Sequence, residues 1–329
     1  MGKLIFVTRA TQTSGKGHFF RVIRMVENLR HICDCTVVVD EDASIGYEHL
    51  KCHPYNKHSP EVLVEELELH TGDIIWFDIP DSEYSVIARF QGQHITLVST
   101  NMFEKIGERR YENIAIYPVF EAYNRTVIDK GTIQLSGSEF ISLADEFFYK
   151  GDEKQPFVLV SMGGTDPMMF TPLVLQAIAQ IKNSKFVYKV ILPKGARLED
   201  FSSKYNNLAH LEIYRFGCLD FSRTLRYAKY AIINGGMTRY ECVAAKVYFI
   251  ALSIHKTQFD LTEKVSRYGF GKNFGVFNES CISKLSWYLE KLPATPRFEG
   301  HNDGVPSLKI NGAKWIYDQI LKEVTYENE

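Results

Sequence analysis

Short apolar runs alternate along the chain with stretches of helical spacing. Leu4–Val7 reads as a buried strand, and Phe19, Val22, Ile23, Val26 and Leu29 recur so as to predict a helix over His18–Arg30. Thr36–Val39, Asp73–Phe77, Ile95–Val98 and Ile114–Ile116 follow as strands, with a helical pattern over Val62–Leu69. The series restarts at the strand Phe157–Met162, followed by a helix over Thr171–Ile181 with Leu173, Ala177, Ile178 and Ile181 on one side. Tyr188–Leu192, Leu211–Tyr214, Ala231–Ile233 and Phe249–Leu252 read as further strands, the last two completing the sheet, and Phe221–Ala228 as a helix. Continuous apolar strands separated by helices indicate parallel sheets covered on both faces.

The pattern predicts an α/β protein of two doubly wound, Rossmann-like halves. Tyr149–Pro156, charged and containing glycine and proline, reads as the linker. The expected domains are residues 1–150 and 151–305, with a final helix and tail over 306–329 carrying Ile310, Trp315, Ile316, Ile320 and Leu321. In open parallel sheets ligands bind at the carboxyl ends of the strands. Two such domains facing each other would set their loops across a shared cleft, with a nucleotide on one half and its transferable group presented to the other.

Composition narrows this picture. The 329 residues are 45% hydrophobic and 24% charged, as in soluble globular proteins. With 38 basic against 40 acidic side chains there is no global field for nucleic acid or an anionic membrane, so an anionic substrate must be held locally. Six cysteines lack any C-x-x-C pair, and no zinc-type spacing occurs, so no metal is expected and the thiols read as reduced and structural, Cys242 in the core. No apolar run reaches the length of a membrane span. The expected location is the cytoplasm, with a peripheral membrane role left open.

Three loops carry candidate chemistry. Asn234-Gly235-Gly236-Met237-Thr238-Arg239-Tyr240-Glu241 joins an apolar strand to an amphipathic run. Paired glycines there let a ligand approach the backbone, and the unsatisfied N–H groups of a helix start, with its dipole, suit phosphate oxygens. Glu241 is placed to accept from a sugar hydroxyl. The same residues also suit an ordinary tight turn with a surface glutamate. Arg9–His18, with Gly15, Lys16 and Gly17, ends in an imidazole at or beside a helix start, either a general base or a simple cap. It is not a P-loop, since no Gly-Lys-Ser/Thr ending is present. Ser161–Pro167 holds Gly163 and Gly164, which permit a tight turn, and Thr165 and Asp166, which suit a helix cap or a ligand contact. After the strand Phe249–Leu252 a polar segment offers Lys256 for phosphate and Gln258 for sugar hydroxyls, or simply a solvated loop.

In this order, Arg9 with Gly15–Arg21, Met162–Pro167 and Gly235–Glu241 resemble the GT-B nucleotide-sugar enzymes. They are most similar to the branch holding the UDP-sugar hydrolase of pseudaminic acid synthesis and related spore-coat polysaccharide proteins predicted to be glycosyltransferases. Leu135–Phe140 is similar to a segment preceding that family's interdomain linker, and the resemblance covers most of residues 1–275. It implies a uridine nucleotide on the C-terminal half, with Glu241 on the ribose, the Gly235, Gly236, Met237 and Thr238 backbone on the diphosphate, and Phe216, Cys218 and Leu219 against the base. It implies His18 as the base, and sugar or acceptor contacts from Gly17, Arg21, Asp78, Gly163, Gly164, Thr165, Asp166, Thr257 and Gln258. The sequence departs from the hydrolase pattern where Asp78-Ile79-Pro80 lacks the family tyrosine, and where Thr257 replaces an asparagine before Gln258.

The function expected is therefore a glycosyltransferase with a UDP-sugar donor and a glycan or small-molecule acceptor, working in bacterial surface polysaccharide synthesis without a cofactor. A UDP-sugar hydrolase and a catalytically silent nucleotide-sugar-binding subunit are the alternatives. A dinucleotide oxidoreductase is disfavoured, because no Gly-x-Gly-x-x-Gly follows a strand.

Overall fold

The computed structural model describes residues 2–10, 17–40, 47–54, 60–101, 111–122, 127–128, 131–149, 153–298 and 306–326. The chain divides into two compact units, Met1–Ala144 with Pro306–Glu329, and Asp145–Val305.

The first unit is built on an eight-stranded sheet. Its strands are β1 (Leu4–Thr8), β2 (Cys35–Val39), β3 (Cys52–Pro54), β4 (Ile74–Asp78), β5 (Thr96–Thr100), β6 (Ile114–Tyr117), β7 (Val127–Ile128) and β8 (Thr132–Ser136). They lie in the order β3-β2-β1-β4-β5-β6-β8-β7, all parallel except the short β7. β1, β4 and β6 are buried at every position, which is why they are legible as unbroken apolar runs. Helix α1 (Gly17–Leu29) buries Phe19, Val22, Ile23, Met25, Val26 and Leu29, each contributing about 1.5–3 kcal/mol by removal from water. Helix α2 (Pro60–Glu66) is shorter, and Asp81–Phe90 forms 3-10 turns after β4.

The C-terminal segment returns to this unit. Helix α9 (Gly312–Tyr326) inserts Ala313, Ile316, Tyr317 and Ile320 into the core shared with α1 and β1. Trp315 meets Phe140 edge-on at 5.0 Å, and the Ser138 hydroxyl donates to the Ser307 carbonyl at 3.0 Å. Residues 306–326 are thus part of the first core, because the apolar stripe of α9 is buried there.

The second unit carries a six-stranded parallel sheet in the order β11-β10-β9-β12-β13-β14. Its strands are β9 (Gln155–Ser161), β10 (Val187–Ile191), β11 (Leu211–Tyr214), β12 (Ala228–Asn234), β13 (Tyr248–Ser253) and β14 (Gly271–Val276). Its helices are α3 (Phe170–Ala179), α4 (Leu198–Tyr205), α5 (Phe221–Tyr227), α6 (Thr238–Ala244), α7 (Lys256–Ser266) and α8 (Ile282–Glu290). The unit begins at Asp145, ahead of residue 151, because Phe147 is buried and packs edge-on against Phe221. Gln155 and Pro156 of the expected linker already belong to β9. The sheet does not end at β13: β14 adds an edge strand whose Gly, Lys and Asn residues hid it from an apolar search.

Both sheets contain the same reversal. After winding outward from β1 to β3, the chain returns to the other side of β1 as β4, and likewise β12 returns beside β9. Each reversal separates the loops after two neighbouring strands and opens a crevice at their carboxyl ends, where open α/β sheets bind ligands.

Candidate functional site

At the first reversal, β1 and β4 pair in register to their last residues, Thr8 opposite Asp78. Asp78 closes the apolar run of β4 with a carboxylate that is almost wholly buried (1% exposed). The chain resolves this by surrounding it with donors from α1. The His18 Nδ1 lies 2.8 Å from Asp78 Oδ1, the Arg21 Nε donates to Oδ2 at 2.5 Å, and the Arg21 Nη2 donates to Oδ1. His18 and Arg21 stand one helical turn apart and so reach the same carboxylate. Burial alone would push the Asp78 carboxyl up; the adjacent Arg21 charge and the hydrogen bonds from His18 and Arg21 outweigh it and hold it below the usual carboxylate range.

An ionised Asp78 can only accept, so the tautomer that carries its proton on Nδ1 suits this contact and would place the lone pair on Nε2; the Arg21 Nη2 also lies 3.1 Å from Nδ1. That is the arrangement of an oriented general base. The His18 side chain keeps 17% of its surface exposed. Asp78 was expected to touch sugar or acceptor; both of its oxygens are engaged by His18 and Arg21. Arg21 meets Asp78 through Nε and Nη2, and its Nη2 also lies 3.1 Å from His18 Nδ1. Gly17 opens α1 in open space, with nothing within 4 Å of where a Cβ would stand. Gly15 and Lys16 lie outside the described residues.

A second polar cluster, absent from the sequence reading, occupies the same edge of the sheet. Arg9, just after β1, binds Asp40 at the end of β2 at 3.1 Å and pairs with Glu83 from the turns after β4. The Ala10 N–H donates to Asp40 at 2.7 Å. Acidic residues ending apolar strands are the signal that would have located both clusters.

At the second reversal the functional groups are mostly main chain. Asn234, ending β12, donates from Nδ2 to the Met162 carbonyl at 2.8 Å and accepts the Gly236 N–H on Oδ1 at 3.1 Å. One side chain thus ties the loop after β9 to the loop after β12. Gly163 needs to be glycine: its φ is +87°, and a Cβ would meet the Asn234 amide at 3.0 Å. A Cβ on Gly235 would fall 2.9 Å from Ser253 Oγ and 3.1 Å from Thr262 Oγ1, so that turn is closed from below. The N–H groups of Met237 and Thr238 meet no acceptor among the described residues.

Helix α6 has only seven residues, so its dipole is the smaller contribution. A helix terminus is worth about 0.3–1 kcal/mol toward an anion, against about 1.5–3 kcal/mol for each hydrogen bond to a charged group. The two open N–H groups therefore matter more than the helix behind them. Glu241 sits in the first turn of α6 and is buried (4% exposed).

The remaining expected residues fall around this turn or into structural roles. Gln258 lies beside Gly235, its Cβ 3.3 Å from the place of a Gly235 Cβ, and its Oε1 accepts the Ile254 N–H at 2.9 Å. Its segment is not a loop: Lys256–Ser266 is α7, capped by His255, whose Nδ1 accepts the Gln258 N–H at 3.3 Å. Thr257 is exposed on its first turn, and Lys256 pairs with Asp260 on the surface. Phe216 is 51% exposed beyond β11, with its ring 3.8 Å from where a Gly164 Cβ would stand. Cys218 is exposed and Leu219 half-buried in the same loop, which turns at Gly217 with φ +80°. Thr165 is exposed, whereas Asp166 is buried and accepts the Phe170 and Thr171 N–H groups at 2.9 and 2.7 Å. The Asp166 carboxylate thus serves the first two N–H groups of α3, as expected of a helix-capping side chain. Among the described residues no group of acidic, histidine or cysteine side chains could hold a metal ion, and no helix is long and apolar enough to cross a membrane.

No family model matches the chain. It is 22% identical over 339 residues to the spore coat polysaccharide biosynthesis protein SpsG of Bacillus subtilis (strain 168), with 96% of each chain covered. Among solved structures, MurG of Acinetobacter baumannii matches with a TM-score of 0.65 at 12% identity, over 97% of this chain and 99% of that one. MnaA of S. aureus, in its co-structure with UDP, matches with a TM-score of 0.63 at 12% identity, over 100% and 98% of the two chains. The chain has the GT-B architecture of two Rossmann-like units, as its sequence resemblance implied.

Proposed function

We propose that the protein is a glycosyltransferase that uses a UDP-sugar in the synthesis of a surface polysaccharide, with His18 as general base. The observation that carries this reading is the pairing of His18 Nδ1 with the buried Asp78, which orients the imidazole and supports Nε2 as the nitrogen that takes the proton. In the reaction, the acceptor hydroxyl gives its proton to Nε2 as its oxygen bonds to the anomeric carbon of the sugar. The bond from that carbon to the diphosphate oxygen breaks, and UDP departs with the electron pair. The imidazolium that forms stands against the Asp78 carboxylate. The N–H groups of Met237 and Thr238 are the donors for the diphosphate, where charge grows as the bond breaks. Glu241 takes the ribose, Gln258 the sugar hydroxyls, and the Phe216–Leu219 loop the base.

The likeness to SpsG supports a role in polysaccharide synthesis, and the likeness to MnaA in complex with UDP supports a uridine nucleotide. The departures at Pro80 and Thr257 from the hydrolase pattern favour transfer to a hydroxyl over transfer to water. A thermal-shift comparison of UDP, CMP, GDP and dTDP tests the nucleotide: UDP is expected to raise the melting temperature most. A candidate UDP-sugar is then incubated with and without acceptor. Rapid release of free sugar without acceptor replaces transfer by hydrolysis, and a flat response to every nucleotide rejects the reading.

A further inference from the structure

The second unit contains a buried charge that nothing above uses. Arg239 is 3% exposed in the first turn of α6. Its Nη1 donates to the carbonyl oxygen of Gly235 and, at 3.1 Å, to that of Gly236. Its Nη2 donates to the Tyr240 hydroxyl at 2.9 Å, and the guanidinium lies 4.3 Å from the centre of the Tyr240 ring. The Nε is buried with no partner. Every acceptor of this guanidinium is neutral, and it forms no ion pair with a carboxylate among the described residues. A cation removed from water without a counter-anion is strongly disfavoured, and carbonyl dipoles with a ring face compensate only in part.

Its position supplies a reason to keep the charge. All described peptide bonds are trans, so each N–H points opposite to its C=O. By holding the carbonyls of Gly235 and Gly236 on its own side, Arg239 turns the N–H groups of Gly236 and Met237 the other way. The Gly236 N–H is taken by Asn234, and the Met237 N–H is left open.

We propose that Arg239 is the positioning residue of the diphosphate site. It fixes the two peptides of the glycine turn from behind, and its missing counter-charge is provided across that backbone by the ligand's diphosphate. This inference rests on the UDP-sugar reading.

The test compares UDP with uridine, which lacks the phosphates, by titration calorimetry on the full chain. In Arg239→Met, UDP affinity is expected to fall about 10–100-fold, the range of lost hydrogen bonds to a charged group, while uridine affinity stays unchanged. Arg239→Lys keeps the charge without the two-carbonyl fork and is expected to lose less. A folded Arg239→Met that binds UDP like the wild type overturns the inference. So does an equal fractional loss for UDP and uridine, which marks a purely structural brace. Should Arg239→Met melt before it can be titrated, Arg239→Lys decides by the same selective loss of UDP. Wild-type protein that binds neither ligand fails the underlying reading and takes the inference with it, an outcome distinct from failure in the variants alone.

Discussion

At the reversal of the first sheet the working atoms belong to side chains: the imidazole of His18, the carboxylate of Asp78 and the guanidinium of Arg21, with Arg9, Asp40 and Glu83 alongside. At the corresponding reversal of the second sheet they belong to the main chain, shaped by Gly163, Gly235 and Gly236 and held by Asn234 and Arg239. The same topology has thus been given two kinds of chemistry. Proton transfer needs a titratable group in a fixed orientation, and a buried ion pair supplies it. An anion is met more uniformly by peptide N–H groups, and glycine lets them be approached. The two edges should therefore fail differently when altered. The first is sensitive to loss of its side-chain charges, the second to gain of a methyl group on its glycines and to loss of the Arg239 brace behind them.

The sharpest way to separate them is His18→Ala. Turnover of a UDP-sugar is expected to fall about 10²–10⁴-fold, the usual loss for a positioned base, while UDP affinity by calorimetry is unchanged. Undiminished turnover removes His18 from the mechanism. Asp78→Asn should act on both chemistry and folding, since it leaves Arg21 buried without its anion. A loss of about 3–5 kcal/mol is expected in chemical denaturation, with reduced turnover and retained UDP binding.

That variant also has a pH signature. The folded Asp78 carboxyl lies below its unfolded value of about 3.9, so its contribution to stability is present above that value and is lost as pH falls through the folded value. Asp78→Asn should flatten the acid limb of the stability profile. An acid limb identical to the wild type would mean that Asp78 does not carry it.

In the second unit, Gly235→Ala forces a methyl against Ser253 and Thr262, at a cost of about 1–3 kcal/mol, with weakened UDP binding. Gly164→Ala, whose Cβ finds ordinary contact with the Phe216 ring, should leave the melting temperature unchanged. Equal effects at the two glycines would contradict the packing below Gly235. A modest change is expected for Asp166→Ala, which removes the acceptors of the first N–H groups of α3 for about 1 kcal/mol and leaves UDP affinity intact. A selective loss of UDP binding there would assign Asp166 to the ligand site.

Much of the architecture was readable from residue order because most strands of both sheets are buried on two faces and appear as unbroken apolar runs. Among the elements that escaped are two with mixed faces. Helix α7 begins Lys256-Thr257-Gln258, and β14 reads Gly271-Lys272-Asn273, so neither shows a strong periodicity. The glycine turns and His18 were likewise visible as local motifs. Their partners were not, because Asp78 stands 60 residues from His18 and Asn234 stands 72 from Met162.

The amino-acid order alone determined the two α/β halves, the turn at Gly235 and Gly236, and the imidazole at the start of α1. Periodicity and turn chemistry act over a few residues, so they are written locally. Only the tertiary structure decided that Asp78 pairs with His18 and Arg21, that Asp166 accepts the first N–H groups of α3, and that Arg239 stands behind the glycine turn. These assignments depend on which strands become neighbours when each sheet reverses, and on which charges are then left inside without water.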